Sequence, residues 1–151
     1  MTTKVHYVHP DKREEETNLE TLLKNSSYTV LYFYPKDNTP GCTIEAKDFT
    51  LLQWDFRKLG VQIIGVSKDS AKSHCSFVDK QWLSIGLISD IDTTLAQKFE
   101  ARGEKKFMGK TYMWVFRNTY LLDNKGTIVY KRENVSVTWH AKEVLEYVRS
   151  L

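Results

Sequence analysis

One of the two cysteines in this 151-residue chain, Cys42, stands where an apolar run gives way to a helical pattern. The apolar run, residues 28–34, is rich in aromatic and β-branched side chains, as expected of a buried strand. Residues 40–59 then repeat apolar side chains at helical spacing. A helix N-terminus carries unpaired N–H groups and a partial positive charge, so a thiol placed there ionises more readily. The position favours a reactive thiolate; the alternative is a small side chain that only packs in the core.

The three residues before Cys42 are typical of a helix start. Thr39 is a suitable N-cap, whose hydroxyl would accept a hydrogen bond from a first-turn N–H. Pro40 suits the first helical position because its missing N–H costs nothing there. Gly41 has no side chain, so a small ligand can approach the backbone closely. Together they predict that Cys42 lies in the first turn of a helix, beside space for a small substrate.

Residues 33–46 closely resemble the active-site segment of the bacterioferritin comigratory protein, or peroxiredoxin Q, group of thiol peroxidases. The general peroxiredoxin pattern Pro-x-x-x-Thr-x-x-Cys is met by Pro35, Thr39 and Cys42. Later segments resemble the same group and occur in the same order: residues 67–77, 109–123 and 140–145. The resemblance covers residues 28–151, whereas residues 1–18 diverge from the family's usual opening segment.

The resemblance implies a thioredoxin-like fold and a peroxidase that reduces hydrogen peroxide and organic hydroperoxides. It implies that Cys42 is the peroxidatic nucleophile, and that the Thr39 hydroxyl and nearby N–H groups hold the peroxide. Arg117 would then fold over against Cys42 and stabilise negative charge, while Pro35 would shield the thiolate. Without the family, Arg117 would be interpreted as a solvated charge and Pro35 as a strand terminator.

The second thiol, Cys75, lies 33 residues after Cys42, in a later predicted helix. Peroxide attack would leave Cys42 as a sulfenic acid, which another thiol must resolve. In many relatives that thiol stands five residues after the first cysteine, a position that is Lys47 here. Some members of the group carry it in the later helix, so Cys75 is either the resolving cysteine or a packing residue. The resemblance also implies that thioredoxin or a similar dithiol re-reduces the enzyme.

This chemistry needs thiols alone, so neither an organic cofactor nor a metal is expected. The four histidines share no metal-ligand spacing with the cysteines. Two other functions remain open. A thiol–disulfide oxidoreductase usually has a Cys-x-x-Cys pair, but Thr39 stands where its first cysteine would be. A non-catalytic thioredoxin-like binding or holdase domain would not need the residues that match the peroxidase pattern: Pro35, Thr39, Cys42 and Arg117.

Composition narrows the class of protein further. With 41% hydrophobic and 27% charged residues, the chain is expected to be one globular domain over residues 1–151. A net charge of +3 does not indicate nucleic-acid binding, and the densest cationic stretch, residues 102–110, is predicted to be a solvated loop. No long apolar stretch and no signal-peptide pattern is present. We therefore expect a cytoplasmic protein, not bound to membrane, that is a monomer or weak dimer.

The spacing of apolar and turn residues predicts the elements that position these side chains. An edge strand is expected at residues 4–8, a polar connection at 11–17 and a short helix near 19–23. Further strands are expected at residues 28–34, 61–67, 87–89, 112–117, 119–122 and 127–132, and helices at 40–59, 70–82, 94–100 and 139–150. This order implies an α/β, thioredoxin-like fold, with a mixed central β-sheet and helices on both faces. Cys42 would lie at the carboxyl end of a strand, where open α/β sheets bind their ligands.

Overall fold

A computed structural model describes residues 3–151 and contains a seven-stranded mixed sheet and a separate two-stranded hairpin. In chain order the elements are β1 (Lys4–Val8), β2 (Glu14–Asn18), α1 (Leu19–Leu23), β3 (Tyr28–Phe33), α2 (Pro40–Leu51), α3 (Gln53–Lys58), β4 (Val61–Ser67), α4 (Ala71–Gln81), β5 (Gly86–Ser89), α5 (Thr94–Lys98), β6 (Arg102–Phe107), β7 (Lys110–Val115), β8 (Thr119–Asp123), β9 (Ile128–Arg132) and α6 (His140–Arg149). The strand order in the large sheet is β2-β1-β5-β4-β3-β8-β9. Strands β3, β4 and β5 are parallel, and the outer strands join them antiparallel.

Strand β3 lies between two hydrophobic cores because its side chains alternate between the faces of the sheet. Val30, Tyr32 and the following Tyr34 contribute to the core that includes side chains of α2, α4 and α6. Leu31 and Phe33 contribute to the opposite core, with side chains of α1 and α5. All five are fully buried. Helices therefore cover both faces of the sheet, which confirms the predicted fold class.

The N-terminal region differs from the prediction in two ways. Residues 4–8 do form a strand, but β1 lies between β2 and β5 and is not at the edge. The edge is β2, within the residues predicted to be a polar connection. Its Glu14, Glu15 and Glu16 side chains are exposed, so β2 has no apolar alternation to reveal it. Charged side chains suit an edge strand because they discourage pairing with another chain. Residues 1–2 of the divergent segment lie outside the described residues.

The long helix predicted for residues 40–59 is two helices, α2 and α3, which meet at Leu52. At Leu52 the backbone departs from helical geometry (φ −95°, ψ 4°), yet its N–H still bonds the Asp48 carbonyl at 3.2 Å. The interruption is therefore local, and no glycine or proline marks it in the sequence. Gly60, with φ of +76°, follows the second helix as predicted.

The cationic stretch predicted to be a solvated loop is instead a β-hairpin. Strand β6 pairs with β7, and Gly109 (φ +78°) lies in the turn between them. Strand β6 was missed because most of its side chains are exposed, which leaves no alternation of buried and exposed residues, whereas β7 corresponds to the strand predicted at residues 112–117. Its four cations and one acid give a net charge of +3, which equals that of the whole chain. The positive and negative side chains outside residues 102–115 are therefore equal in number.

The other predicted strands and helices agree with the structure to within about two residues at each end, the usual scatter of such boundaries. Among residues 3–151, no helix is long and apolar enough to cross a membrane.

Candidate active site

The turn that joins β3 to α2 ends at Thr39, the residue that caps the helix. Thr39 has extended backbone geometry, and its carbonyl accepts the first helical hydrogen bond from Thr43 N–H at 2.9 Å. Its hydroxyl does not accept a first-turn N–H as predicted but donates to the Lys36 carbonyl at 2.8 Å. The tight turn brings that carbonyl within reach, and the hydroxyl oxygen keeps its lone pairs. Thr39 is half-buried, so those lone pairs can face a small ligand.

Cys42 lies in the first turn of α2 and is 1% exposed. It shares the buried face of the helix with Ala46 and Phe49. Helix geometry leaves the N–H groups of Gly41 and Cys42 without an acceptor inside the helix. Two donors and the positive end of the helix dipole therefore lie beside the sulfur.

Arg117 lies between β7 and β8, and its guanidinium joins two acidic groups. Nη2 donates to Cys42 Sγ at 3.2 Å, and Nη1 donates to a Glu45 carboxylate oxygen at 2.8 Å. The same Nη2 passes 3.4 Å from the place where a Cβ on Gly41 would stand. The structure thus brings together Arg117 and Cys42, 75 residues apart in the sequence.

The fork of Arg117 remains cationic in this setting. Burial lowers the pKa of Arg117, but the attraction of Glu45 and Cys42 and their hydrogen bonds outweigh it, so the pKa lies above its ordinary value. Its backbone carbonyl accepts a hydrogen bond from Val135 N–H at 2.8 Å, which ties the arginine to the segment after β9. A fixed planar donor fork of this kind can hold a thiolate and a carboxylate at once.

Glu45 was given no chemical role from the sequence, yet it is 1% exposed and bonded to Arg117. Burial raises the pKa of Glu45 to about 7, against the opposing effect of Arg117. Among the described residues its second carboxylate oxygen has no hydrogen-bond partner, and the same is true of the buried Tyr32 hydroxyl. Glu45 could have been noticed from its spacing, because it falls on the same helical face as Cys42, Ala46 and Phe49.

Pro35 and Cys75 complete the set of predicted site residues. Pro35 is half-buried in the turn that precedes α2. Cys75 is half-buried on α4, and its thiol lies 3.6 Å from the Lys12 carbonyl in the β1–β2 turn. Burial raises the pKa of Cys75, and Glu14 adds to the effect. Both cysteines are free thiols with different neighbours.

Within the described part of the chain, no cluster of three or more His, Cys, Asp or Glu side chains could hold a metal ion.

Comparison with known proteins finds relatives along most of the chain. The family model "AhpC/TSA family" matches residues 4–131. A putative peroxiredoxin bcp of Helicobacter pylori is 40% identical over 131 residues, covering 87% of this chain and 85% of that protein. Peroxiredoxin Bcp of Bacillus subtilis is 38% identical and covers 100% of this chain and 98% of that protein.

Solved structures give the same result. Peroxiredoxin Q of Xanthomonas campestris superposes with a TM-score of 0.88 at 37% identity, covering 97% of this chain and 89% of that one. Another structure of the Xanthomonas campestris bacterioferritin comigratory protein, with the same TM-score and identity, was described for its alkyl peroxide reduction activity. These similarities confirm the predicted thioredoxin-like fold and the predicted enzyme class. The chain therefore belongs to the AhpC/TSA family, within its Bcp or peroxiredoxin Q group of thiol-dependent peroxidases.

Proposed function

We propose that Cys42 is the peroxidatic nucleophile of this thiol peroxidase. The observation that carries the proposal is the 3.2 Å contact between Arg117 Nη2 and Cys42 Sγ at the start of α2. The thiolate attacks one peroxide oxygen, so an S–O bond forms as the O–O bond breaks. The other oxygen leaves with the bonding electrons and takes up a proton, which gives water or an alcohol. Two electrons pass from sulfur to the peroxide, and Cys42 becomes a sulfenic acid.

The neighbouring groups have separate roles in this step. Arg117 donates a hydrogen bond to the Cys42 sulfur and stabilises the negative charge that develops on the peroxide. The Thr39 hydroxyl and the N–H groups of Gly41 and Cys42 orient the peroxide in line with the sulfur. Pro35, in the turn before the helix, shields the thiolate from water. The Glu45 carboxyl positions the arginine fork through its 2.8 Å hydrogen bond.

Cys75 is proposed as the thiol that resolves oxidised Cys42. Its sulfur displaces the sulfenic oxygen, which leaves as water, and a disulfide forms across a loop of 33 residues. A disulfide needs Cα atoms within about 7 Å, so the first turns of α2 and α4 must unwind for the two residues to meet. A thioredoxin-like dithiol would then reduce the disulfide and restore both thiols.

The cellular location, the domain organisation and the oligomeric state of the enzyme are also part of the proposal. Two cysteines that must return to the thiol form require a reducing compartment, which supports a cytoplasmic location. A single domain over residues 1–151 that works as a monomer or weak dimer remains our interpretation of the chain.

Mass spectrometry after one equivalent of hydrogen peroxide, under non-reducing conditions, tests these assignments together. We expect a Cys42–Cys75 cross-linked peptide pair with the loss of two hydrogens. Cys42→Ser should abolish peroxide turnover while the far-UV spectrum is unchanged, and substantial remaining turnover would refute the nucleophile assignment. Cys75→Ser should still form one sulfenic acid per chain. If the parent accumulates sulfenic or sulfinic acid at Cys42 with Cys75 free, the mechanism uses one cysteine and a partner's thiol.

A further inference from the structure

A buried hydrogen-bonded pair of side chains connects the turn before Cys42 to the helix that carries Cys75. Asp37 and His74 lie 2.7 Å apart, from Oδ2 to Nδ1, and their side chains are 2% and 0% exposed. Asp37 stands five residues before Cys42, and His74 directly precedes Cys75. The pair therefore joins the two segments that must move for the proposed disulfide to form.

The side chains of Asp37 and His74 each make further hydrogen bonds. Asp37 accepts the hydroxyl protons of Tyr34 at 2.6 Å and of Ser73 at 2.8 Å. The second ring nitrogen of His74 donates to the Ile88 carbonyl at 2.9 Å. Both ring nitrogens of His74 therefore face an oxygen, and the ring can turn only if both contacts break. A buried polar group that loses its hydrogen-bond partner is left unsatisfied at a cost in free energy, so the closed arrangement resists small displacements.

Helix geometry points the side chains of His74 and Cys75 in different directions. Consecutive residues of an α-helix point about 100° apart. His74 points into the core toward Asp37, whereas the Cys75 thiol points toward the Lys12 carbonyl. Turning Cys75 toward Cys42 requires the first turn of α4 to rotate or unwind, and that movement withdraws His74 from Asp37. Movement of Cys75 toward Cys42 therefore disturbs the contact between His74 and Asp37.

We propose that Asp37 and His74 are positioning residues that control the resolving step, by holding the first turn of α4 closed until the pair breaks. The proposal rests on the proposed function, in particular on Cys75 as the resolving thiol. While the pair is intact, oxidised Cys42 stays in its site as a sulfenic acid. A second peroxide can then oxidise it to sulfinic acid, with release of one further water or alcohol. The pair therefore sets the balance between disulfide formation and overoxidation.

The test uses Asp37→Asn and His74→Gln in the full chain. Single-turnover reactions with hydrogen peroxide are quenched with a thiol-blocking reagent, and the sulfenic, sulfinic and disulfide forms are counted by mass spectrometry. We expect disulfide to appear about 10-fold faster, because a buried polar group left without its hydrogen-bond partner costs enough free energy to change an equilibrium by about tenfold. The sulfinic fraction should fall, while sulfenic acid should form at close to the parental rate.

Two further variants test whether the effect is specific to the contact between Asp37 and His74. Asp79→Asn is the matched control, since it makes the same chemical change on α4 in an exposed pair with Lys12 at 3.1 Å, and it should leave both rates unchanged. Ser73→Ala removes one donor to Asp37 at a half-buried position and leaves Asp37 and His74 themselves unchanged. It should accelerate disulfide formation by a smaller factor, even if the other two variants fail to fold.

The outcomes separate the proposal from the function on which it rests. The positioning role alone would be overturned by either of two results. One is a parental rate of disulfide formation in the folded variants of Asp37, His74 and Ser73; the other is an equal acceleration by Asp79→Asn. A sulfenic Cys42 with Cys75 free in parent and variants would overturn the resolving role and the positioning role together. A Cys42 that peroxide leaves unoxidised would overturn the nucleophile assignment itself.

Discussion

Replacing Glu45 by Gln removes the carboxyl group that shares Arg117 with Cys42. Burial raises the pKa of Glu45 from 4.5 to about 7, and Arg117 opposes that shift only in part. The folded protein therefore keeps the Glu45 proton up to about pH 7, whereas the unfolded chain releases it near pH 4.5. The stability that comes with the proton is fully present below pH 4.5 and is lost as the pH rises through 7. The gap between the two pKa values corresponds to roughly 3 kcal/mol of unfolding free energy.

We expect Glu45→Gln to abolish this decline, so that the variant gains roughly 3 kcal/mol relative to the parent between about pH 4.5 and pH 7. Loss of the hydrogen bond to the charged carboxylate also shifts the unfolding free energy of the variant. The test therefore compares how the unfolding free energy of each protein changes with pH. Urea unfolding followed by tryptophan fluorescence, in the presence of a reductant, measures it. Glu146→Gln is the control, because Glu146 lies on the exposed side of α6 in a surface pair with Arg149.

A constant difference between parent and Glu45→Gln across that pH range would refute the reasoning. It would mean that the Glu45 carboxyl does not take up its proton near neutral pH in the folded state. The consequence at the site would fail with it, namely that Glu45 loses its charge beside Arg117 as the pH falls below about 7.

Three further predictions concern the site and its supports. Arg117→Met should slow the reaction with peroxide by roughly 10²-fold or more in stopped-flow assays, and Arg117→Lys should not fully rescue it; a rate within about twofold of the parent for Arg117→Met would exclude Arg117 from the site. Thr39→Val should lower kcat/KM about 10-fold through the loss of one hydrogen bond to the peroxide, and Thr39→Ser should restore it; equal rates for both variants would contradict the assignment. Burial lowers the pKa of His140 from 6.5 to about 4, with Arg132 adding to the effect, so its contribution to stability is present above pH 6.5 and is lost as the pH falls through 4. His140→Asn should flatten that loss in urea unfolding, and a profile parallel to the parent's would count against it.

The start of α2 was predictable because its signals are local. Thr39, Pro40 and Gly41 precede Cys42 directly, and each has a known preference at a helix start. The burial of His74 was also indicated, since it falls at helical spacing with Phe77 and Val78. In both cases the information lies within one or two helical turns of the residue concerned.

The features that the sequence did not predict are either exposed strands or contacts between residues that are far apart in the sequence. Strands β2 and β6 bury too little of either face to give an alternating pattern. The position of Arg117 against Cys42 follows from a fold that joins residues 75 apart, and only the family resemblance anticipated it. The Asp37–His74 pair crosses 37 residues, and no local spacing rule connects an aspartate in a turn with a histidine on a later helix.

The hairpin formed by β6 and β7 gives the molecule a strongly asymmetric charge distribution, because it holds the whole net charge of +3. The rest of the chain carries equal numbers of positive and negative side chains. At physiological ionic strength charges are screened beyond about 8 Å, so an acidic surface senses this protein as cationic only when it approaches the hairpin. The protein should therefore adsorb to a cation-exchange matrix in one orientation, hairpin first. Neutralising Lys105 and Lys106 should release it at markedly lower salt, whereas the same change at Lys131 should release it only slightly earlier.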